Sequence, residues 1–345
     1  MKKLTRFKAI KWILPLCFAS FLNINNGYAQ NCGQLKKGGK IVLEVKTYPL
    51  IHDKVGTDFY TLKPAKKVAK AEEYSAELNA GKVNPSATYT MEYVVTDVNA
   101  NGEYELSADF YGTTYKSYVN CRNDSMYIIR AKGLVYSVYQ KDTLGFGTKG
   151  TQIIPYNLKT GDLTPGYVDE SILTYKNSDI KKTAFALSDG SYNAVSGTVT
   201  TITYSGYVPA KIDYSVKGKT LYIYQPGVVV AEEDITVGGK KYKTYKLRTE
   251  IWMKNDTKGE TKVELDNWFA DPKFNKQIHS QLQTSADKAN TNVKARMDEM
   301  LGTNKAGYIV TYKEEWIAPG LGVVLTKAYD QWGCLISETT LKAIE

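Results

Sequence analysis

The sequence predicts a mainly β protein: a curved antiparallel sheet or open β-barrel-like fold with one long and one short helical insertion. Three observations carry this expectation. Apolar and polar residues alternate with period two in segment after segment. The chain holds 27 tyrosines among many threonines and valines, residue types that suit pleated, half-buried surfaces. Turn pairs such as Asn101-Gly102 and Gly238-Gly239 punctuate the alternation.

Residues 1–29 read as a secretory signal peptide. Lys2, Lys3, Arg6, Lys8 and Lys11 precede an apolar run from Trp12 to Leu22, and Gly27, Tyr28 and Ala29 form a small-residue exit. Asn23, Asn25 and Asn26 end the run too early for a transmembrane helix, and no later stretch is long enough to span a bilayer. A lipid anchor is not expected, because Cys32 follows Asn31 and Cys17 follows Leu16, where a lipidated cysteine follows a small residue. Residues 30–345 are then a single β-rich exported domain, placed in the periplasm or at the cell surface.

Loss of the five leading basic residues lowers the formal charge from +9 to +4, so the basicity belongs largely to targeting. Lys240, Lys241, Lys243 and Lys246 make the densest basic run, at a turn and along an alternating strand. That is a solvated strand face rather than a phosphate track, and no nucleic-acid partner is expected. Export favours a disulfide. Of Cys32, Cys121 and Cys334, the first two fall at strand edges and are the expected pair, with Cys334 a small half-buried residue.

Along the chain, Met91, Tyr93 and Val95 lead to the Asn101-Gly102 turn, and Tyr104, Leu106, Ala108 and Phe110 return. Tyr118 to Cys121 turns at Asn123 and Asp124 into Met126 to Arg130. Ile212, Tyr214 and Val216 are expected to turn at Lys217 and Gly218 into Leu221 to Tyr224. Ile235 and Val237 turn at Gly238 and Gly239 into the cleanest alternation, with Tyr245, Leu247, Ile251 and Met253 on one face and Lys246, Arg248 and Glu250 on the other. One face is buried and the other wet, as in a barrel wall.

Two segments carry helical spacing. Pro64 opens a short one at about 64–80, with Val68, Ala71, Tyr74 and Leu78 on one face before Gly81. Asp271 and Pro272 open a long one at 271–301, with Phe274, Ile278, Leu282, Ala286, Ala289, Val293, Met297 and Leu301 on one face and Gly302 as the stop. The C-terminal run from Glu315 through Pro319, Gly320 and Gly322 is a broken entry into an apolar strand, followed by a turn at Asp330–Gly333 and a return from Leu335 to Leu341.

Candidates for chemistry are few. Gly145, Gly147 and Gly150 match G-x-G-x-x-G, but Thr151 to Pro155 continue as extended chain where a helix should open, so the stretch reads as a flexible β loop. His52 and His279 are the only histidines and bring no metal-ligand spacing with them. Glu314 and Glu315 beside Trp316 are the first suspects for sugar hydrolysis, yet neighbours on a strand face opposite ways, which makes a solvated strand end the expectation. Trp252, Trp268, Trp316 and Trp332 suit either a binding groove or ordinary β cores. No catalytic residue, metal ligand or cofactor is expected, and the chain is not expected to be an enzyme.

Tyr312, Glu315, Trp316, Ala318, Pro319, Gly320, Gly322 and Val323, followed by Tyr329, Asp330 and Gly333, resemble the TapB-like exported domain family of unknown function. Cys32, Tyr118–Tyr127, Ile154, Pro155, Leu158, Gly161 and Thr236–Leu247 are similar to further landmarks of that family. Tyr245 departs from it, standing where relatives often carry a cysteine, and so do the two helical segments. The resemblance implies a curved β-barrel-like fold in the envelope of Gram-negative bacteria and no established activity. Trp316, Pro319, Gly320, Gly322, Tyr329, Asp330 and Gly333 are then structural residues, with Pro319, Gly320 and Gly322 bending the chain at a sheet edge. The expected role is a non-enzymatic binding protein for a lipid or other apolar ligand, or for an envelope protein. A structural or assembly module acting through protein contacts is the alternative, and an envelope carbohydrate-active hydrolase the third.

Overall fold

The computed structural model describes residues 35–345 apart from 111–112, 123–124, 131–134, 140–141, 194–197, 267–271, 302–306 and 320. In order, the elements are β1 (Lys40–Thr47), α1 (Ile51–Val55), a 3₁₀ turn (Thr57–Thr61), α2 (Pro64–Asn79), β2 (Ala87–Val98), β3 (Glu103–Phe110), β4 (Thr113–Arg122), β5 (Ser125–Arg130), β6 (Val135–Tyr139) and β7 (Asp142–Pro155). There follow β8 (Leu163–Thr164), β9 (Tyr167–Asn193), β10 (Thr198–Tyr224), β11 (Gly227–Val237), β12 (Lys240–Leu265), α3 (Pro272–Leu301), β13 (Ile309–Ala318), β14 (Gly322–Tyr329) and β15 (Leu335–Ile344).

Twelve strands close an antiparallel barrel in the order β10-β9-β7-β5-β4-β3-β2-β1-β15-β14-β13-β12, and β12 returns to β10. The expected sheet is thus closed rather than open, because β15 pairs with β1 from Thr47↔Ser337 to Ile41↔Ile344. With both sides paired, the run through Pro319 and Gly322 is not a bend at a sheet edge. It is the turn between β13 and β14, where Gly322 takes φ +93°. The Asn101-Gly102 and Gly238-Gly239 turns behave as read, while Asn123 and Asp124 lie outside the described residues. Asn99 Oδ1 accepts from the amides of Asn101 (2.9 Å) and Glu103 (3.0 Å) with Gly102 at φ +72°. Gly238 and Gly239, both at positive φ, join β11 to β12.

One expected turn is absent. Lys217 and Gly218 lie inside β10, where Lys217 pairs with Thr174 on one side and Lys258 on the other. Ladders on both edges hold the segment extended, against its local turn chemistry. Likewise Gly145–Gly150, read as a flexible loop, belongs to β7 and pairs with β9 from Gly145↔Thr174 to Gly150↔Asp169.

Alternation sends Ile41, Leu43 and Val45 of β1, Leu106 and Ala108 of β3, and Met126 and Ile128 of β5 inward, and all of these but Val45 join the main apolar cluster with Val323 and Leu341. The outer wall from β12 round to β1 is charged instead. Lys246 meets Glu314 (3.2 Å), Lys327 and Lys46 share Glu338 (3.5 Å each), and Lys342 meets Glu44 (3.0 Å). A lipid-facing wall would show an apolar band on this side. Among the described residues no helix is long and apolar enough to cross a membrane.

The excursion between β1 and β2 packs as a cap. Ala71, Tyr74 and Leu78 of α2, with Ile51 and Phe59, bury against Cys334 and Leu335, while Val68, expected on the same face, is 52% exposed. Tyr74 Oη donates to the Pro49 carbonyl (2.5 Å), and Trp332 meets Phe59 edge-on at 5.0 Å.

At the same end, the longest strands leave the barrel as a wing. β9 loses β7 after Asn177 and runs on through residues 178–193, roughly 50 Å at ~3.3 Å per residue. β12 loses β13 beyond Met253. The resulting three-stranded ribbon of β9, β10 and β12 has two open edges, and α3 covers one face of it through Ile278 and Leu282 against Val208, Ala210 and Val263. Its side-chain amides also bond the edges. Gln281 accepts from the Ala186 amide (3.2 Å) and donates to the Ala186 carbonyl (2.7 Å) on β9. Gln283 accepts from the Val263 amide (3.0 Å) and donates to the Thr261 carbonyl (2.7 Å) on β12. His279 Nε2 lies 2.7 Å from the Val263 carbonyl, so this histidine serves the same interface. Unpaired strand edges are otherwise templates for association, and the two glutamines take the place of neighbouring strands.

Replacing both Gln281 and Gln283 with Ala removes four of these bonds, each worth about 0.5–1.5 kcal/mol net. Hydrogen exchange should then speed up at Ala186 and Val263, with the barrel strands unchanged; equal exchange in the variant would show that packing alone holds α3.

Candidate functional site

The most unusual chemistry lies inside the barrel, in a layer next to the apolar cluster. Period-two alternation delivers its members: Arg130 follows Met126 and Ile128 on the inward face of β5, Lys313 and Glu315 follow Ile309 and Thr311 on β13, and Tyr222 and Tyr224 share the inward face of β10. Arg130 is 1% exposed, Asp169 1% and Glu315 1%.

A glycine sets the geometry. Ile129 pairs with Thr151, so Arg130 stands beside Gly150 one step further along the same ladder, and Gly150 pairs with Asp169 on the other side. A Cβ at Gly150 would overlap the Asp169 carboxylate. The missing side chain is a notch through which the Arg130 guanidinium and Asp169 form an ion pair across the intervening strand. The glycine-rich stretch therefore has a packing role.

From that pair the network crosses the lumen. Arg130 Nη2 donates to Gln152 Oε1 (3.3 Å), and Gln152 Nε2 donates to Glu315 Oε2 (3.4 Å). Lys313 Nζ donates to Glu315 Oε1 (2.8 Å) and to the Tyr167 hydroxyl (3.0 Å). Tyr167 and Tyr224 stack at 4.0 Å between the two cations, with Arg130 5.3 Å and Lys313 5.6 Å from the Tyr167 centroid. Burial pulls the Lys313 ammonium down, but Glu315, Tyr167 and their hydrogen bonds outweigh it, so its pKa is raised and it stays charged. Burial pushes the Tyr224 phenol far above its usual range. Two cations, two anions and an amide relay thus lock β5, β7, β9, β10 and β13 together. Each carboxylate is committed to a cation.

Glu315 was expected at a solvated strand end and is instead inside the barrel, because its neighbour Glu314 takes the outward face and bonds Lys246 and the Tyr329 hydroxyl (3.0 Å). Reading the strands missed Arg130, Gln152, Tyr167, Asp169, Tyr224 and Lys313. The signal was available in part: Lys313 and Glu315 continue the inward parity of Ile309 and Thr311, where a solvated residue has no place.

The C-terminal structural residues do not converge on this layer. Trp316 is buried on the other face of β13, its indole donating to Glu233 (2.7 Å) with Lys246 4.8 Å from the ring. Tyr329 stacks on Tyr312 at 4.3 Å. Asp330 Oδ1 accepts from the amides of Trp332 (2.9 Å) and Cys334 (2.8 Å), and Gly333 at φ +82° completes the turn. Pro319 is exposed and Gly320 lies outside the described residues. Trp252 is on β12 with its indole on Glu250 (2.5 Å), Trp332 is in the cap, and Trp268 lies outside the described residues, so the three described tryptophans line no common groove. Cys334 is fully buried rather than half-buried and is a free thiol. Cys121 is disulfide-bonded; Cys32, its expected partner, lies outside the described residues, as do residues 1–29.

No family model matches this chain, and no curated protein matches it. A solved Bacteroides fragilis structure, described as an exported protein with a YmcC-like fold, is similar over 90% of this chain and 97% of its own, at 10% identity and a TM-score of 0.33. The likeness does not reach the TapB-like family.

Asp169→Ala, which leaves Arg130 buried without its anion, should cost about 3–5 kcal/mol in chemical denaturation, and Arg130→Met with Asp169→Leu together should cost less than either alone. Gly150→Ala should cost about 1–3 kcal/mol by overpacking. Burial, against three backbone amides, raises the Asp330 carboxyl from 3.8 to about 6. The folded state therefore holds this proton longer than the unfolded chain does. Its contribution is complete below pH ~4 and is lost as pH rises through ~6, up to roughly 3 kcal/mol. Asp330→Asn should flatten that part of the stability profile in urea unfolding measured between pH 4 and 7.

Proposed function

We propose that the protein is an exported, non-enzymatic protein of the cell envelope that works through contacts with a protein partner, with the barrel as a filled scaffold. The observation that carries this reading is the lumen. One end is filled by apolar side chains such as Ile41, Leu43, Val323 and Leu341, and the middle is occupied by the Arg130–Asp169 and Lys313–Glu315 pairs. An apolar ligand gains nothing against that charged layer, since it would strip partners from buried ions. This favours the contact role over the apolar-ligand role expected from the sequence.

The hydrolase reading needs an acid and a base facing one bond. Asp169 and Glu315 share the layer, but both are buried and both are neutralised. The leader-like N-terminus supports export. The charged outer wall from β12 to β1 supports a barrel surrounded by water rather than lipid.

Among the described residues Arg130 Nε has no hydrogen-bond partner, and this favours a small anion in the layer as a second reading. Native mass spectrometry of the full exported chain separates the two. The bare chain mass supports the scaffold role; a stoichiometric lipid or small anion, lost in Arg130→Met, would overturn it.

A further inference from the structure

We propose that the open edge of β11 accepts an extended segment of a partner protein as an added strand, one that presents aliphatic and then basic side chains to it. The inference rests on the contact role proposed above and names the surface and the partner's chemistry.

β11 has β12 along one side as far as Val237, but on the other side β8 pairs only with Gly227 and Val228. Gly161 and Asp162 bond Val229 and extend that pairing by one residue. From Val230 to Ile235 no strand lies along this second edge among the described residues. Elsewhere the fold treats edges differently: the barrel closes them, and Gln281 and Gln283 occupy them on the wing. An edge left uncovered offers a row of main-chain donors and acceptors, the requirement for β-strand addition.

The side chains around the edge have matching character. Leu163 and Val228 pair directly and are 66% and 39% exposed. A register shift between Val229 and Ala231 leaves Val230 without a cross-strand partner and 44% exposed. Exposed aliphatics concentrated beside an open edge mark an interaction surface. Further along the same exposed face stand Glu232 and Asp234; Lys241 holds Asp234 (2.9 Å), and Glu232 has no ion pair among the described residues. A second copy pairing two-fold about this stretch would set acidic residues against acidic residues, which is unfavourable across strands. The fitting occupant is therefore a different chain, with Val or Ile opposite Val230 and Lys or Arg opposite Glu232.

The test uses the full exported chain and a fluorescent synthetic peptide alternating Thr with two Val and then two Lys. Val228→Lys with Val230→Lys, and separately Glu232→Lys, change only exposed side chains. Saturable binding weakened about tenfold or more by each supports the proposal; no saturable binding, or binding indifferent to both changes, overturns it. Photo-crosslinkers placed at Val230 and at Tyr207, 63% exposed on the wing, separate this proposal from the broader contact role in the producing cell. A protein adduct at Val230 supports it. An adduct at Tyr207 alone overturns the β11 edge and keeps the contact role, and no adduct at either position overturns both.

Discussion

Closing twelve strands creates a lumen wider than aliphatic side chains alone can fill. Eight strands leave room for ordinary core residues, and sixteen or more leave a channel. Here the middle of the barrel is spanned by the longest side chains available, Arg130, Gln152, Lys313, Glu315, Tyr167 and Tyr224. Length brings charge, and buried charge must be paired. Gly150 follows from that demand, because only a residue without a Cβ lets Arg130 reach Asp169 across β7. The layer also works against misregister, since a one-residue slip of β13 would turn Lys313 and Glu315 outward and Glu314 inward.

A second constraint comes from strand length. β10 and β11 run as nearly one line along β12, interrupted at Gln225 and Pro226, with Tyr224↔Ile251 on one side of the break and Val228↔Arg248 on the other. The same strands therefore serve barrel, wing and end hairpin. Every stretch that outruns its neighbours creates an edge, and the molecule meets each edge with a different device. The wing uses amides of α3 and the barrel uses closure, while β11 from Val230 to Ile235 has no strand alongside among the described residues.

Local patterns carried much of the architecture. The alternation of Leu247, Ile251 and Met253 against Lys246, Arg248 and Glu250 marks a wall with one dry side, and Leu247, Ile251 and Met253 are buried. Pro64 and the spacing of Ala71, Tyr74 and Leu78 mark the cap helix, and the Asn-Gly and Gly-Gly turns mark their hairpins. These signals are legible because period, cap and turn depend on residues close together in sequence. Lys217-Gly218 failed as a turn for the complementary reason: Thr174 and Lys258, far away in sequence, hold it straight.

The amino-acid sequence alone settled a β-rich chain with one long and one short helix, together with the alternating faces of its strands. Only the tertiary structure decided that the sheet closes, that Glu315 faces the lumen, that Gly150 is a notch, and that Arg130, Asp169, Gln152 and Lys313 share one layer. The reason is physical. A strand's period says which residues share a face, but the partner across the lumen is chosen by register and closure, and those depend on every other strand in the ring.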